Sequence, residues 1–289
     1  MTRPVGPTIP RWQLGENLRK LRLEAGLSQA DVKHHLGCSI SKVQNMERGS
    51  VGVVKAEVES LLSLYGITDQ QECERFLELQ RLGKSRGWWS RFGKLPSTVS
   101  NFLGIESAAT QIQEFEPQVI SGLLQTEDYA RSVEASLTPT QPHHDCERNV
   151  QLRLERQQHV LHESGDTRPD KWFVFDEAVF HRLVGGPKTM VAQIDQLVEL
   201  VNARMIVLQI VPFSCGGYPG TLGSFSIYSF DESLHSPVAF VESQAGNLYM
   251  EHAEDIERCK NAYAHISSIA LSPEDSLKRL KSFRTALTR

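Results

Sequence analysis

Over the first part of the chain apolar residues recur at helical spacing. Leu14, Leu18 and Leu21 follow Trp12 along one face of a segment that stops at Ala25-Gly26. Ser28 is placed to cap a second short helix, SQADVKHHLG, closed by Gly37, and Ser39 to cap a third, SISKVQNMERG, closed by Gly49. A fourth helix, roughly Val54 to Tyr65, directs Val58, Leu61, Leu62 and Tyr65 inward and ends at Gly66. Thr68 or Asp69 opens a fifth through Cys73, Phe76, Leu79 and Leu82. Five short helices within about 85 residues predict a compact all-α head. Only a few residues, Gly37-Cys38 among them, join its second and third helices, the signature of a helix-turn-helix.

After about Lys84 the pattern changes. An aromatic cluster, Trp88, Trp89 and Phe92, leads into a helix around Phe102 to Ala109; the tryptophans are expected at a domain junction or a dimer contact. VISGLLQTEDYARSV reads as a short helical pair with Thr126 as a cap, and SLTPTQPHHD as a loop before a long helix from Glu147 to His162. KWFVFDE and RMIVLQIVP are buried-looking strands flanking the helix PKTMVAQIDQLVELVN, so a right-handed parallel crossover is expected. GSFSIYSF, VAFVES and NLYME predict three antiparallel strands, and a helical stretch from Ala253 to Leu287 is reset near Ser272-Pro273-Glu274. The expected organisation is multidomain. A flexible arm spans 1–13 and the helix-turn-helix head 14–84; a helical subdomain over 85–170 precedes an α+β domain with a mixed sheet over 171–289.

Composition is that of an ordinary globular protein, 40% apolar and 23% charged. A net charge of −4 opposes nucleic-acid binding only if it is evenly spread, and it is not. Residues 1–55 hold nine Lys/Arg against four acids, a charge of +5, which leaves −9 on the remainder. A basic head on an acidic body confines polyanion binding to the head. Five scattered cysteines without a C-x-x-C pair suggest neither a disulfide framework nor a zinc ribbon. No run of 18 apolar residues predicts a membrane span, and the proline-containing first 15 residues make a poor signal peptide; a reducing cytoplasm is expected.

GLSQADVKHHLGCSISKVQNMERG resembles the helix-turn-helix of the Cro/C1-type, or Xre, repressors, with Gln29, Gly37, Glu47 and Gly49 at the matching places. The resemblance covers about residues 14–70. A third helix of this kind enters the major groove with its N-terminal residues toward base edges. Ser39, Ser41, Lys42 and Asn45 are the candidate base contacts, and Ile40 either touches a thymine methyl or turns into the core. Ser28 and Gln29 at a helix N-terminus, with Arg48 and Lys55 beyond the third helix, suit phosphates. Val43 and Met46 are expected in the core. The resemblance further implies that Glu47 pairs with Arg22 of the first helix.

ISGLLQTEDYAR, LRLERQQHVL, FDEAVFHRLVGG and VLQIVPFSCGGYPG resemble the C-terminal domain, of unknown function, attached to Xre-type regulators of actinobacteria, some of them developmental. Such regulators are encoded beside small proteins thought to antagonise them, which implies a partner.

Signs of catalysis are weak. The glycines of SCGGYPGTLGSF (Gly216, Gly217, Gly220, Gly223) lead into a strand and lack a G-K-[ST] ending, which favours a strand connection or partner-binding loop. His143, His144, Asp145 and Cys146 are adjacent in a proline-flanked loop and cannot all converge on one metal ion. Asp176, Glu177, His181 and Arg182 resemble an acid/base group, yet a surface ion pair is the better expectation; Arg153, Glu155 and Arg156 read as a solvated face or ion-pair network. The expectation is therefore no enzyme, no cofactor and no metal. The chain is expected to be a dimeric regulator of transcription, a repressor of developmental genes, on a pseudo-palindromic operator. The alternative is an antitoxin-like protein that neutralises a small partner and binds DNA only for autoregulation.

Overall fold

The computed structural model describes residues 6–137, 143–161, 170–231, 235–243 and 246–288. They form two compact units, one running to Ala108 and the other built from Ala109–Phe230 and from Ser236 onward.

The first unit is helical: α1 (Thr8–Glu24), α2 (Gln29–Leu36), α3 (Ile40–Glu47), α4 (Lys55–Leu64), α5 (Gln70–Gly83), a 3₁₀ segment Trp88–Phe92 and α6 (Ser97–Ala108). Its core gathers Leu14 and Leu18 of α1, Val32, Val43 and Met46, Val58, Leu61 and Leu62 of α4, and Phe76 and Leu79 of α5. Burial of this set is the main force that holds such short helices together, because each alone is too short to be stable in water.

Two boundaries differ from the sequence expectation. Residues 8–13, assigned to a flexible arm, are the first turns of α1, with Ile9 and Pro10 buried. The prolines that suggested an arm are compatible with this helix: Pro7 is the N-cap and Pro10 lies in the first turn, where backbone N–H groups have no intrahelical acceptor. Likewise, α6 belongs to the same unit as the helix-turn-helix, so the expected 85–170 subdomain is divided at Ala108. The aromatic cluster secures α6 there. Trp88 donates its indole N–H to Ser107 (3.2 Å) and meets Trp89 edge-on at 5.7 Å.

The second unit is α+β. Its elements are β1 (Gln111–Glu116), α7 (Glu127–Leu137), α8 (His143–Leu161), β2 (Asp170–Asp176), α9 (Ala178–His181), α10 (Pro187–Asn202), β3 (Val207–Val211), β4 (Phe225–Ser229), β5 (Val238–Ser243), β6 (Gly246–Met250), α11 (Ala253–Ile269) and α12 (Pro273–Leu287). The sheet order is β3-β2-β1-β4-β5-β6. β1, β2 and β3 run parallel, while β4, β5 and β6 add antiparallel strands, so the sheet is mixed. One face carries Phe115, Val174, Val211, Ile227 and Ala239 against Ile256, Tyr263 and Ile266 of α11. Residues of opposite parity, Phe173 and Phe175, stack on the other face, and Phe175 meets Phe180 edge-on. Phe180 in turn stacks on Phe283 of α12.

β1 was not expected as a strand. QIQEFE carries Glu114 and Glu116 on the same face as Ile112, which hides the apolar alternation of a central strand. Burial raises the pKa of Glu116 well above the usual carboxylate range, and the neighbouring Glu114 adds to the shift.

The segment ahead of α7 is buried without being regular, a situation in which backbone polar groups need other partners. Glutamines supply them. Gln125 donates to Ile120 O (2.7 Å), Gln157 to Gly122 O and Gln125 O (both 2.9 Å), and Gln193 and Gln196 to Leu124 O. Thr126 N–H donates to Gln193 Oε1 (2.7 Å), and Ile120 N–H to the Tyr129 hydroxyl. Arg153 completes the network, donating to Gln125 and Glu134. It is therefore part of a buried network rather than a solvated face. We expect Gln193→Leu to lower the stability of this unit by about 1–3 kcal/mol, because Thr126 N–H loses its acceptor and Leu124 O loses one of its two glutamine donors; an unchanged denaturation midpoint would contradict this.

Two further readings are corrected. Asp145 and Cys146 lie in the first turns of α8, not in a loop, and no metal-binding cluster occurs among the described residues. Glu177 is not a surface ion pair. It is 3% exposed and accepts from Arg279 of α12, from Phe213 N–H at the end of β3 (3.0 Å) and from His181 (3.4 Å). This carboxylate ties three elements together. The glycine-rich stretch connects β3 to β4 and is fastened by the Tyr218 hydroxyl bonded to Asp176.

Candidate nucleic-acid interface

Local chemistry sets the helix-turn-helix. Ser28 caps α2 with a reciprocal box: its Oγ accepts from Asp31 N–H (3.2 Å) while the Asp31 carboxylate accepts from Ser28 N–H (2.8 Å). Gly37, at φ +61°, closes α2 in the left-handed conformation that a side chain would disfavour. Ser39 then caps α3, accepting from Lys42 N–H at 3.2 Å.

α3 is held from its C-terminal end. Arg22 donates to Glu47 through Nε (2.6 Å) and Nη2 (3.0 Å), and Nη1 reaches Leu27 O (2.8 Å). Both partners are buried, at 6% and 9% exposure. This fork-to-fork geometry fixes direction as well as distance. Glu47 draws up the Arg22 pKa through the hydrogen bond, against the opposing effect of burial. Gln29 joins the pair, donating to Glu47 Oε2 at 2.9 Å. Backbone contact is equally close. A Cβ on Gly15 of α1 would lie 2.5 Å from Met46 O, and one on Gly49 would lie 2.6 Å from Arg11 O. Together these contacts leave α3 little freedom to rock.

The face that remains outward is its N-terminal half. Ser39 and Ser41 are exposed, and Ile40 is 38% exposed, so it does not turn into the core. Val43 and Met46 are buried. Asn45 is half-buried, its carbonyl accepting from Ser50 N–H (3.0 Å) and Oγ (3.1 Å). Arg48, at the C-cap of α3, and Lys55, opening α4, are both exposed. Lys55 stands 3.6 Å from Glu59, a surface pair of little energetic consequence.

Three candidates have other commitments. Ser28 has given its N–H and hydroxyl to Asp31, and the hydrogen bonds from Ser28 hold that carboxyl below its ordinary pKa. A phosphate at this helix end would face a carboxylate, so the geometry opposes a phosphate role for Ser28. The Gln29 side chain points at Glu47 and positions α3 instead. Lys42 is bonded to Glu57 of α4, whose other oxygen accepts from Val54 N–H at 3.3 Å. Lys42 must leave Glu57 before it can reach a base. Glu57 escaped the sequence reading, since nothing local links residues fifteen positions apart.

The arrangement presents the anchored N-terminal half of α3, with Lys42 held by Glu57 and with Arg48 and Lys55 beyond the other end of the helix, which suits insertion between phosphate ridges. No helix among the described residues is long and apolar enough to cross a membrane.

Comparison with known proteins gives two family matches. Residues 13–76 match a helix-turn-helix domain, which suggests a DNA-binding regulator. Residues 99–282, well over half of the chain, match a domain of unknown function, DUF5753. Neither the curated proteins nor the solved structures contain a match. The chain belongs to the family defined by this DUF5753 domain, carried here behind an N-terminal helix-turn-helix.

Proposed function

We propose that this protein is a sequence-specific regulator of transcription of the Xre type, acting as a repressor in the manner of WhiJ-like developmental regulators. The observation that carries this reading is the immobilised α3 with Ser39, Ile40 and Ser41 outward, within a stretch, residues 1–55, whose charge of +5 is opposite to the −9 of the remainder. A single helix reads only a few bases, so two heads about 34 Å apart on a pseudo-palindromic operator supply specificity. The acidic body serves as the dimerising module and as the docking site of a small antagonist protein encoded nearby. The protein is then nucleoid-associated while it holds DNA.

In this reading Ser39, Ile40, Ser41 and Asn45 face base edges, with Lys42 joining once released by Glu57, and Arg48 and Lys55 face phosphates. Asn45→Ala is expected to lose about 1–3 kcal/mol on the cognate site and little on random DNA; equal losses on both would remove Asn45 from base readout. Replacing Arg48 or Lys55 should flatten the salt dependence of binding by about one unit each; an unchanged slope would place them off the phosphates. Mapping of bound genomic DNA with and without the neighbouring small protein tests the regulatory role. Occupancy away from the protein's own locus, relieved by the small protein, supports it; occupancy of that locus alone favours the antitoxin-like alternative.

A further inference from the structure

The two edges of the sheet in the second unit are treated differently. At the β3 edge the chain satisfies its own backbone: Leu271 N–H donates to Ile210 O (2.8 Å) and Ile210 N–H donates to Ser276 Oγ (3.0 Å). The Gln209 side chain adds a bond to Leu271 O (2.9 Å). At the other edge β6 pairs with β5 and, among the described residues, with no other strand.

Exposed edge strands are ordinarily blunted by lysine, proline, a bulge or a covering element, because they template further pairing. β6, Gly246–Met250, holds neither lysine nor proline, and no bulge interrupts its pairing with β5. Its sequence, GNLYM, contains no charge and no proline, its register with β5 is continuous, and Leu248 at its centre is 57% exposed.

We propose that β6 pairs with β6 of a second copy of this chain, antiparallel, about a two-fold axis at Leu248. The strand is complementary to itself. In that register Leu248 faces its own copy, Asn247 faces Tyr249 and Gly246 faces Met250, so no like charges are opposed. A dyad is also what an isologous dimer requires, and at β6 neither copy brings a charged side chain to the pairing. The inference deepens the dimer reading of the regulator by naming its surface, and it stands apart from DNA recognition.

Sedimentation velocity of the full chain tests it, with Leu248→Lys as the disrupting variant and Leu222→Lys, at another exposed leucine of the same unit, as the control. Expected are a wild-type dimer, a dissociation constant raised about tenfold or more by Leu248→Lys, and no effect of Leu222→Lys. Far-UV circular dichroism and the thermal transition show whether Leu248→Lys still folds. If it does not, hydrogen exchange of the wild-type chain decides: β6 amides should gain protection as concentration rises. A wild-type monomer, a dimer indifferent to Leu248→Lys, or concentration-independent exchange of β6 would overturn the proposal. A monomer that still selects a DNA sequence would remove the pairing and leave the regulator reading intact. A β6-dependent dimer that selects no sequence would do the reverse.

Discussion

Glu47→Ala is expected to destabilise the helix-turn-helix head by about 3–5 kcal/mol, a large part of the total stability of a small domain. The cause is not the lost attraction alone. Arg22 is 6% exposed, and without Glu47 its guanidinium keeps a single bond to Leu27 O while it stays out of water. Gln29 loses its acceptor at the same time, which frees the start of α2 from the end of α3. Glu47→Gln should cost less, because it keeps one acceptor oxygen, and Arg22→Met combined with Glu47→Leu should recover much of the loss. The effect is readable in chemical denaturation by tryptophan fluorescence, since Trp12, Trp88 and Trp89 lie in the head unit and only Trp172 in the other. A midpoint unchanged by Glu47→Ala would mean that water reaches the pair, and the anchoring of α3 would need another explanation.

Arg153→Met is the second large perturbation, expected at about 3–5 kcal/mol on the α+β unit. Arg153 holds Gln125 and Glu134 simultaneously, and Glu134 is buried. Burial pulls the Arg153 pKa down, partly offset by Glu134, which identifies a charge that has given up much of its water. With Arg153 gone, Glu134 loses the guanidinium bonded to its Oε1, while the amide of Asn149 still donates to its Oε2 (3.2 Å). Gln125 is freed to turn away from the buried segment it supports. Arg153→Lys should recover part of the stability by restoring charge without the fork. Because the head is a separate compact unit, its own tryptophan-reported transition should stay in place. A loss confined to the head would contradict this assignment.

The head was legible because its signals are local. Ser28, Ser39 and Asp69 cap α2, α3 and α5, each accepting from an N–H three residues on, and glycines close the turns. The Ser28–Asp31 box was visible in the same residues but was read as a phosphate site, because a capping carboxylate and a bound anion use the same N–H groups. β2 and β3 were legible as apolar runs, and β5 and β6 as short strands between turn residues. β1 was not, because Glu114 and Glu116 occupy the positions where a central strand usually carries aliphatic residues. The buried segment before α7 was expected as the first helix of a pair whose second is α7; it is irregular instead, because partners such as Gln157, Gln193 and Gln196 arrive from α8 and α10. Long-range partners also explain Glu177, which looked like a surface group until α12 supplied Arg279.

Selection of duplexes from a random pool by the purified full chain, repeated at two salt concentrations, tests the central claim most directly. A DNA-reading α3 predicts enrichment of a pseudo-palindrome whose half-sites lie about one helical turn, roughly 34 Å, apart, with Asn45→Ala relaxing the preference within each half-site. A pool that stays unselected while bulk binding falls with salt would show that the head holds phosphates alone, and would contradict sequence-specific regulation.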